Sequence, residues 1–442
     1  MKTKFLAFAL AAVPVPAFAQ FYALGTLNVN TPSGNSWAYA AANGMLVGTS
    51  SNKVNGVDHG ELAYAWTPSG GMQSMGTYGP DPSGHTTSEG LATSNGVGYG
   101  YAEKWVGGTD YGTRSFSWDP VHGMQDIGNL GTDSHGRANV NVGLAEGSKA
   151  YGVAQVFTGG GHGQSQAFVW DSVNGMQSLG SLSGINGSST PIAVSNGNLV
   201  GVSQTSHGDR AFIWDSVNGM RSLGTLSTDT HGNGLSYARA IDGNMVYGYY
   251  DSYVGSVDKG TRAFAWDSVH GMVNIGTFST NLSGQGNSRV TSASGGLAFG
   301  YCEKWVGNSF EGYQSFAWDS AHGMVNVGNL AIDASGYEST QLTGSDNGVA
   351  FGNAHSASAG PDHAVIWDPV HGLTDLHNML SSYLPTGWTL MSTDAMKDGW
   401  IYGRALTPNG IRAWAYYPVP EPASFAAVSL GLFGVLARKR KK

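Results

Sequence analysis

Two stretches of the chain set an indole beside a carboxylate. Glu103-Lys104-Trp105-Val106-Gly107 returns 200 residues later as Glu303-Lys304-Trp305-Val306-Gly307. A flat aromatic face next to a hydrogen-bonding carboxylate is what a sugar-binding site uses. Glu103, Trp105, Glu303 and Trp305 are therefore the candidate ligand-binding residues. The two copies fall in the second and sixth of eight repeats. In a ring of eight they stand on opposite sides, farther apart than the ~5–10 Å between the two acids of a glycoside hydrolase. Binding outranks catalysis, and the plain alternative is that the four residues fill an insert loop.

Other groups offer less. Asp119, Asp171, Asp215, Asp267, Asp319 and Asp368 each follow an anchor tryptophan. A ring of carboxylates could hold cations, but the glycine that follows each one at the same distance favours a turn closed by the Asp side chain. His122, His270, His322 and His371 share one repeat position with Asn174 and Asn218. A metal needs converging ligands, and equivalent positions of a ring do not converge, so no metal site is expected. The loops Asp133-Ser134-His135-Gly136 and Asp229-Thr230-His231-Gly232 resemble weak calcium loops, as do Asp81-Pro82-Ser83-Gly84 and Asp333-Ala334-Ser335-Gly336. Calcium takes six or more oxygens, and each loop brings one carboxylate. Calcium is thus the one ion left open, and no cofactor is expected. No nucleophile elbow, zincin helix or phosphate loop is present. No catalytic residue is assigned.

The elements that carry these residues repeat. The anchor tryptophans are Trp66, Trp118, Trp170, Trp214, Trp266, Trp318, Trp367 and Trp414, spaced 44 to 52 residues apart. A period near 50 fits a propeller blade. Trp66 to Trp266 and Trp118 to Trp318 are each 200 residues, so a four-repeat unit is duplicated. Each repeat holds four strand-like pieces, in the fifth 236–241, 245–250, 262–266 and 272–275, with Asp242-Gly243 as a hairpin signal. In Ala211-Phe212-Ile213-Trp214 both strand faces are apolar. A strand apolar on both faces must be covered on both, as radially stacked blades are. The eighth repeat lacks a fourth strand, while Phe21-Tyr22-Ala23-Leu24-Gly25-Thr26-Leu27 matches Arg221-Ser222-Leu223-Gly224-Thr225-Leu226. The expected fold is all-β, an eight-bladed β-propeller of four-stranded blades over 20–418, closed by the N-terminal strand. An open β-solenoid is the runner-up.

Composition agrees. Glycine reaches 67 residues, aromatics 11% and charged residues only 12%, the mixture of short strands and tight turns. The single cysteine, Cys302, permits no internal disulfide and replaces Ala102 of the duplicated segment, so it reads as a small apolar strand residue. Seven of the 22 basic residues sit at the two ends, which leaves the body acidic by about 15 charges. That excludes nucleic acid as a partner, since phosphate neutralisation needs a basic surface.

The ends read as addresses. Lys2 and Lys4, the apolar stretch from Phe5 to Val13 and Ala17-Phe18-Ala19 form a secretory signal peptide over 1–19, with cleavage after Ala19 and a mature start at Gln20. Residues 419–442 hold Val419-Pro420-Glu421-Pro422, an apolar run of 13 residues and five basic residues. The run is short for a bilayer, which takes about 20 residues, and the basic cluster suits a stop-transfer signal. This order resembles the PEP-CTERM sorting signal of Gram-negative bacteria. The resemblance implies an exosortase-type processing enzyme as partner, membrane contact through the short C-terminal helix before processing, and a final place on the outer surface or outside the cell. The Ala-Phe-x-Trp repeats resemble extracellular HAF repeats, although only His363-Ala364-Val365 keeps the histidine. Together these imply an exported, non-enzymatic surface or matrix protein that binds exopolysaccharide. A polysaccharide-cleaving propeller and a purely structural scaffold are the alternatives.

Overall fold

The computed structural model describes residues 19–157, 163–333, 336–356 and 360–418. Residues 1–18, with Ala17 among them, the sorting residues Val419, Pro420, Glu421 and Pro422, and the tail to 442 lie outside the described residues. The chain is all-β and built from four-stranded antiparallel sheets. In the fifth repeat the strands are Ser236–Asp242, Met245–Val254, Val257–Asp267 and Gly271–Gly276, each paired with the next in chain order. The first and second repeats are joined by a short parallel pairing, Gly60 with Thr86 and Glu61 with Thr87. The sixth and seventh are joined in the same way at Gly312 and Tyr313.

The last sheet takes its outer strand from the other end of the chain. Gln20–Ala23 pairs with Gly410–Tyr417, so that Gln20 lies opposite Tyr417 and Ala23 opposite Trp414. The expected mature N-terminus is thus the first residue of a strand, beside the point where the sorting tail departs. The register also corrects one equivalence. In the fifth repeat Phe264 lies opposite Gly248 and Trp266 opposite Val246. In the eighth, Trp414 lies opposite Gly403 and Tyr416 opposite Ile401. Trp414 therefore occupies the phenylalanine position, and Tyr416 stands where the other repeats place their anchor tryptophan. The glycine is required there: a Cβ on Gly248 would lie 1.9 Å from the Tyr237 carbonyl oxygen, with the Phe264 ring on its other flank.

Both faces of each third strand are covered by neighbouring repeats. Phe264 packs with Val200, Ala211 and Ile213 of the fourth repeat. Ala263 and Ala265 pack with Ala298, Cys302 and Phe316 of the sixth. The same two-sided arrangement runs along the chain. One further cluster joins Trp400, Tyr402 and Ala413 of the eighth repeat to Leu46, Tyr64 and Trp66 of the first. Cys302 is buried in this packing, and burial pushes its thiol up to about 11.

Flat apolar faces alone would slide. The seams between sheets are pinned by buried serine hydroxyls. The Ser288 Oγ accepts the Ala263 N–H (2.9 Å) and donates to the Gly276 carbonyl (2.6 Å), across the fifth-to-sixth seam. Ser88, Ser189 and Ser236 do the same for Ala63, Ala167 and Ala211. Ser36 of the first repeat accepts the Ala413 N–H of the eighth at 3.0 Å. In two seams the hydroxyl sits on the other side. Ser115 replaces the alanine and bridges Val140 and Val142, and Ser315 bridges Thr340 and Leu342. The seam from the seventh to the eighth repeat has Ala364 facing Leu390, sealed by Leu376 and Leu380 around the short helix Leu376–Met379.

The reciprocal placement gives a prediction. Ser288→Val leaves the Ala263 N–H and the Gly276 carbonyl without partners and costs about 1–3 kcal/mol. Adding Ala263→Ser rebuilds the arrangement of the second-to-third seam. Chemical denaturation should show the double variant regaining more than half of the loss. Additive destabilisation would refute the seam account.

Candidate functional site

The six candidate aspartates close turns. The Asp267 carboxylate accepts the N–H groups of Val269 (2.7 Å) and His270 (2.8 Å), and the His270 ring meets it at 2.9 Å. In the third repeat Asn174 bonds Asp171 in the same way. Asn and His exchange at this position because either can bring a side-chain nitrogen to the same oxygens. The candidate calcium loops are likewise occupied by their own backbone. Asp229 accepts from His231 and Asn233, and Asp133 from His135 and Arg137. In the fifth repeat the neutral Asn281 accepts from Ser283 and Gln285 with the same geometry, so the loop forms without a carboxylate. Among the described residues no three His, Cys, Asp or Glu side chains gather as metal ligands.

The Glu–Trp pairs lie near hairpin ends, where alternate residues share a strand face. The Trp105 indole donates to Glu103 at 3.4 Å and the Trp305 indole to Glu303 at 3.0 Å. Glu303 also accepts the backbone and side-chain N–H groups of Asn287. No bond joins the two copies, and the structure does not bring them to one place. Their surroundings differ. Phe310 packs edge-on against Trp305 at 5.6 Å, Tyr313 against Phe310 at 5.3 Å and Tyr301 against Tyr313 at 5.5 Å. The second repeat has Asp110 and Thr113 in place of Phe310 and Tyr313. Glu303 and Trp305 thus belong to a continuous aromatic run, and Glu103 and Trp105 do not.

Arg289, the strand partner of Tyr301, links this run to a ring pair on the fifth repeat. Tyr249 stacks on Tyr237 at 5.1 Å, and the Arg289 guanidinium lies 4.6 Å above the Tyr249 ring. Arg289 is anchored by a bond to the Thr261 hydroxyl at 3.3 Å. Tyr237 donates to Asp209 at 3.0 Å, and burial, then Asp209, push its own hydroxyl up to about 12. Burial also raises the Asp251 carboxyl, with Asp258 adding to it and Arg289 opposing.

Each inner strand carries a register shift at the same place. A bulge leaves one residue unpaired and re-aims its side chain. Tyr39 in the first repeat and Arg239 in the fifth are such residues, and both are exposed. Sequence reasoning missed these inner-strand positions. The signal was present in the 200-residue duplication: Tyr39 becomes Arg239, Glu61 becomes Thr261 and Glu89 becomes Arg289. The first half keeps its acids close together. Burial, then Glu89 and Asp58, raise the Glu61 carboxyl, and burial, then Glu89 and Glu61, raise the Tyr39 hydroxyl.

The PEP-CTERM protein-sorting motif matches residues 418–441. The chain carries an export signal. Such a signal is read by an exosortase-type enzyme and marks the protein as exported. Among the described residues no helix is long and apolar enough to cross a membrane. No curated protein matches the chain. Among solved structures, a prolyl endopeptidase is 9% identical with a TM-score of 0.49, over 87% of this chain and 53% of that one. Puromycin hydrolase is 12% identical with a TM-score of 0.43, over 89% of this chain and 60% of that one. The β-propeller domain of the trilobed protease from Pyrococcus furiosus is 9% identical with a TM-score of 0.39, over 78% of this chain and 96% of that domain. The chain thus spans only 53–60% of the first two of these proteins.

The turn aspartates set an acid limit. Backbone and histidine hydrogen bonds hold Asp267 at about 2, below its ordinary 3.8. Asp119, Asp171, Asp215 and Asp319 are lowered first by the side chain three residues on. A depressed carboxyl contributes stability that is full above its unfolded value and lost as pH falls through its folded value. Thermal unfolding followed from pH 5 downward should therefore fall most steeply between about pH 4 and 2. Asp267→Asn should flatten that fall, and an unchanged slope would remove the turn from the account.

Proposed function

We propose that this is an exported, non-enzymatic surface or extracellular-matrix protein that binds exopolysaccharide. Its scaffold is an eight-bladed β-propeller of four-stranded blades, closed by the N-terminal strand. The apolar cluster shared by the eighth and first repeats supports closure. The PEP-CTERM tail, with its membrane contact before processing, supports a final location at the outer surface of a Gram-negative cell or outside it. The repeats, similar to the HAF type, are modules of that scaffold.

The observation that carries the binding reading is the aromatic run on the fifth and sixth repeats. Trp305, Phe310, Tyr313, Tyr301, Tyr249 and Tyr237 offer rings, and Arg289, Asp209 and Glu303 lie among them. Sugar rings stack on aromatic faces through their C–H edges while their hydroxyls bond the polar groups between them. Glu103 and Trp105 form a smaller version of the site on the second repeat. The acids are committed to indole and amide donors, which favours holding a polymer over cleaving one.

The secreted protein should be titrated with exopolysaccharide from the producing bacterium. Saturable binding is expected, weakened about tenfold by Tyr249→Ala or Tyr313→Ala, with the melting temperature little changed. Chain length of the polymer should stay constant on prolonged incubation. Release of oligosaccharides would establish the cleaving enzyme instead, and absence of binding would leave a scaffold.

A further inference from the structure

We infer that the ligand of the aromatic site is a polyanion, a carboxylated or sulfated glycan whose acid group sits between Arg239 and Arg289. The inference rests on the glycan-binding reading above and adds the charge of the ligand. It starts from the charged groups of the inner strands. Most of them are spent on seams or within their own sheet. Glu146 accepts the N–H groups of Asn196 and Gly197 in the next repeat, and Asp242 accepts that of Gly296. Asp346 pairs with Lys397, Asp394 with Arg404, and buried Glu338 bonds Gln314 and Asn329. Glu89, Arg239 and Arg289 remain, and among the described residues none of the three has an ion pair.

The two arginines lie on neighbouring strands, and Glu89 lies on a different repeat. Arg239 lies on Ser236–Asp242 and Arg289 on Ser288–Ser294, strands that pack directly on each other. Arg289 leans toward the fifth repeat, onto Tyr249 and Thr261. Arg239, unpaired in its bulge, is exposed on that same repeat. Glu89 belongs to the second repeat, beside Glu61 and Tyr101. Other arginines do not compete. Arg262 is buried and donates to the carbonyls of Lys259 and Gly286, and Arg412 to that of Pro32. The acids on this side are engaged elsewhere or held back by burial: Asp209 accepts from Tyr237, and burial raises the Asp251 carboxyl, with Arg289 opposing.

The duplication makes the contrast specific. Both halves share one scaffold, yet Tyr39 and Glu89 of the first stand where the second has Arg239 and Arg289. A guanidinium fork suits carboxylate and sulfate oxygens. A body acidic by about 15 charges would repel a polyanion everywhere except at such a pair.

The test compares polygalacturonate with dextran of similar length, binding the intact secreted protein, with the producer's own exopolysaccharide as reference. Polygalacturonate should bind at least tenfold tighter than dextran and weaken as salt rises. Arg239→Gln with Arg289→Gln should lower polygalacturonate affinity about tenfold or more, while Glu89→Gln should not weaken it. The melting temperature of each variant identifies any that fails to fold, and Arg239→Gln alone, at an exposed position, serves if the double variant unfolds. Equal binding of both polymers, or Arg variants that bind normally while Tyr249→Ala does not, would overturn the polyanion inference and leave glycan binding intact. Failure of all three polymers to bind would remove the glycan reading itself.

Discussion

The structure depends on buried serine hydroxyls at the seams between sheets. Apolar burial supplies most of the driving force for stacking, but it is non-directional and sets no register. A hydroxyl that must satisfy an alanine N–H on one sheet and a glycine carbonyl beside it fixes the offset of two sheets to within a hydrogen bond. Ser88, Ser189, Ser236 and Ser288 are all at most 2% exposed, so misplacement would strand polar groups away from water. A second device works at the opposite hairpin ends. There Glu146, Asp242 and Asp398 cap the turn amides of the following repeat, Asp398 reaching Asn43 of the first. Pinned at both ends, the inner strands can carry variable side chains at their bulges without loss of register.

Much of the scaffold was legible in the chain. Period, strand count per repeat, two-sided apolar strands and the displaced outer strand all follow from spacing and residue type. Turn aspartates were legible for the same reason, because one side chain and a glycine at fixed spacing define a local structure. Seam serines were not. The repeats alternate between Ala-Phe and Ser-Phe, which reads as neutral drift until Ser115 is seen to replace the hydroxyl missing at Val140. The pairing spans 25 residues and two sheets, and no local pattern announces it. The eighth repeat misled for a related reason: Trp414 keeps the 200-residue interval from Trp214 but sits two residues out of structural phase.

The site was legible only in part. Glu303 and Trp305 stand in the aromatic run, but their copies Glu103 and Trp105 lack Phe310 and Tyr313 beside them. Repetition drew attention to what the two halves share. The residues of the proposed binding site lie where they differ, at Arg239, Arg289, Tyr249 and Tyr313. A duplicated scaffold allows this divergence, since seams hold each sheet in place while exposed inner positions change freely.

If seam hydroxyls close the ring, the last seam must behave like the internal ones. Amide hydrogen exchange of the secreted protein measures this at one atom. The Ala413 N–H, held only by Ser36 of the first repeat, should exchange as slowly as the Ala263 N–H inside the fifth-to-sixth seam. Rapid exchange at Ala413, with Ala263 protected, would mean that the first and eighth sheets do not meet in solution.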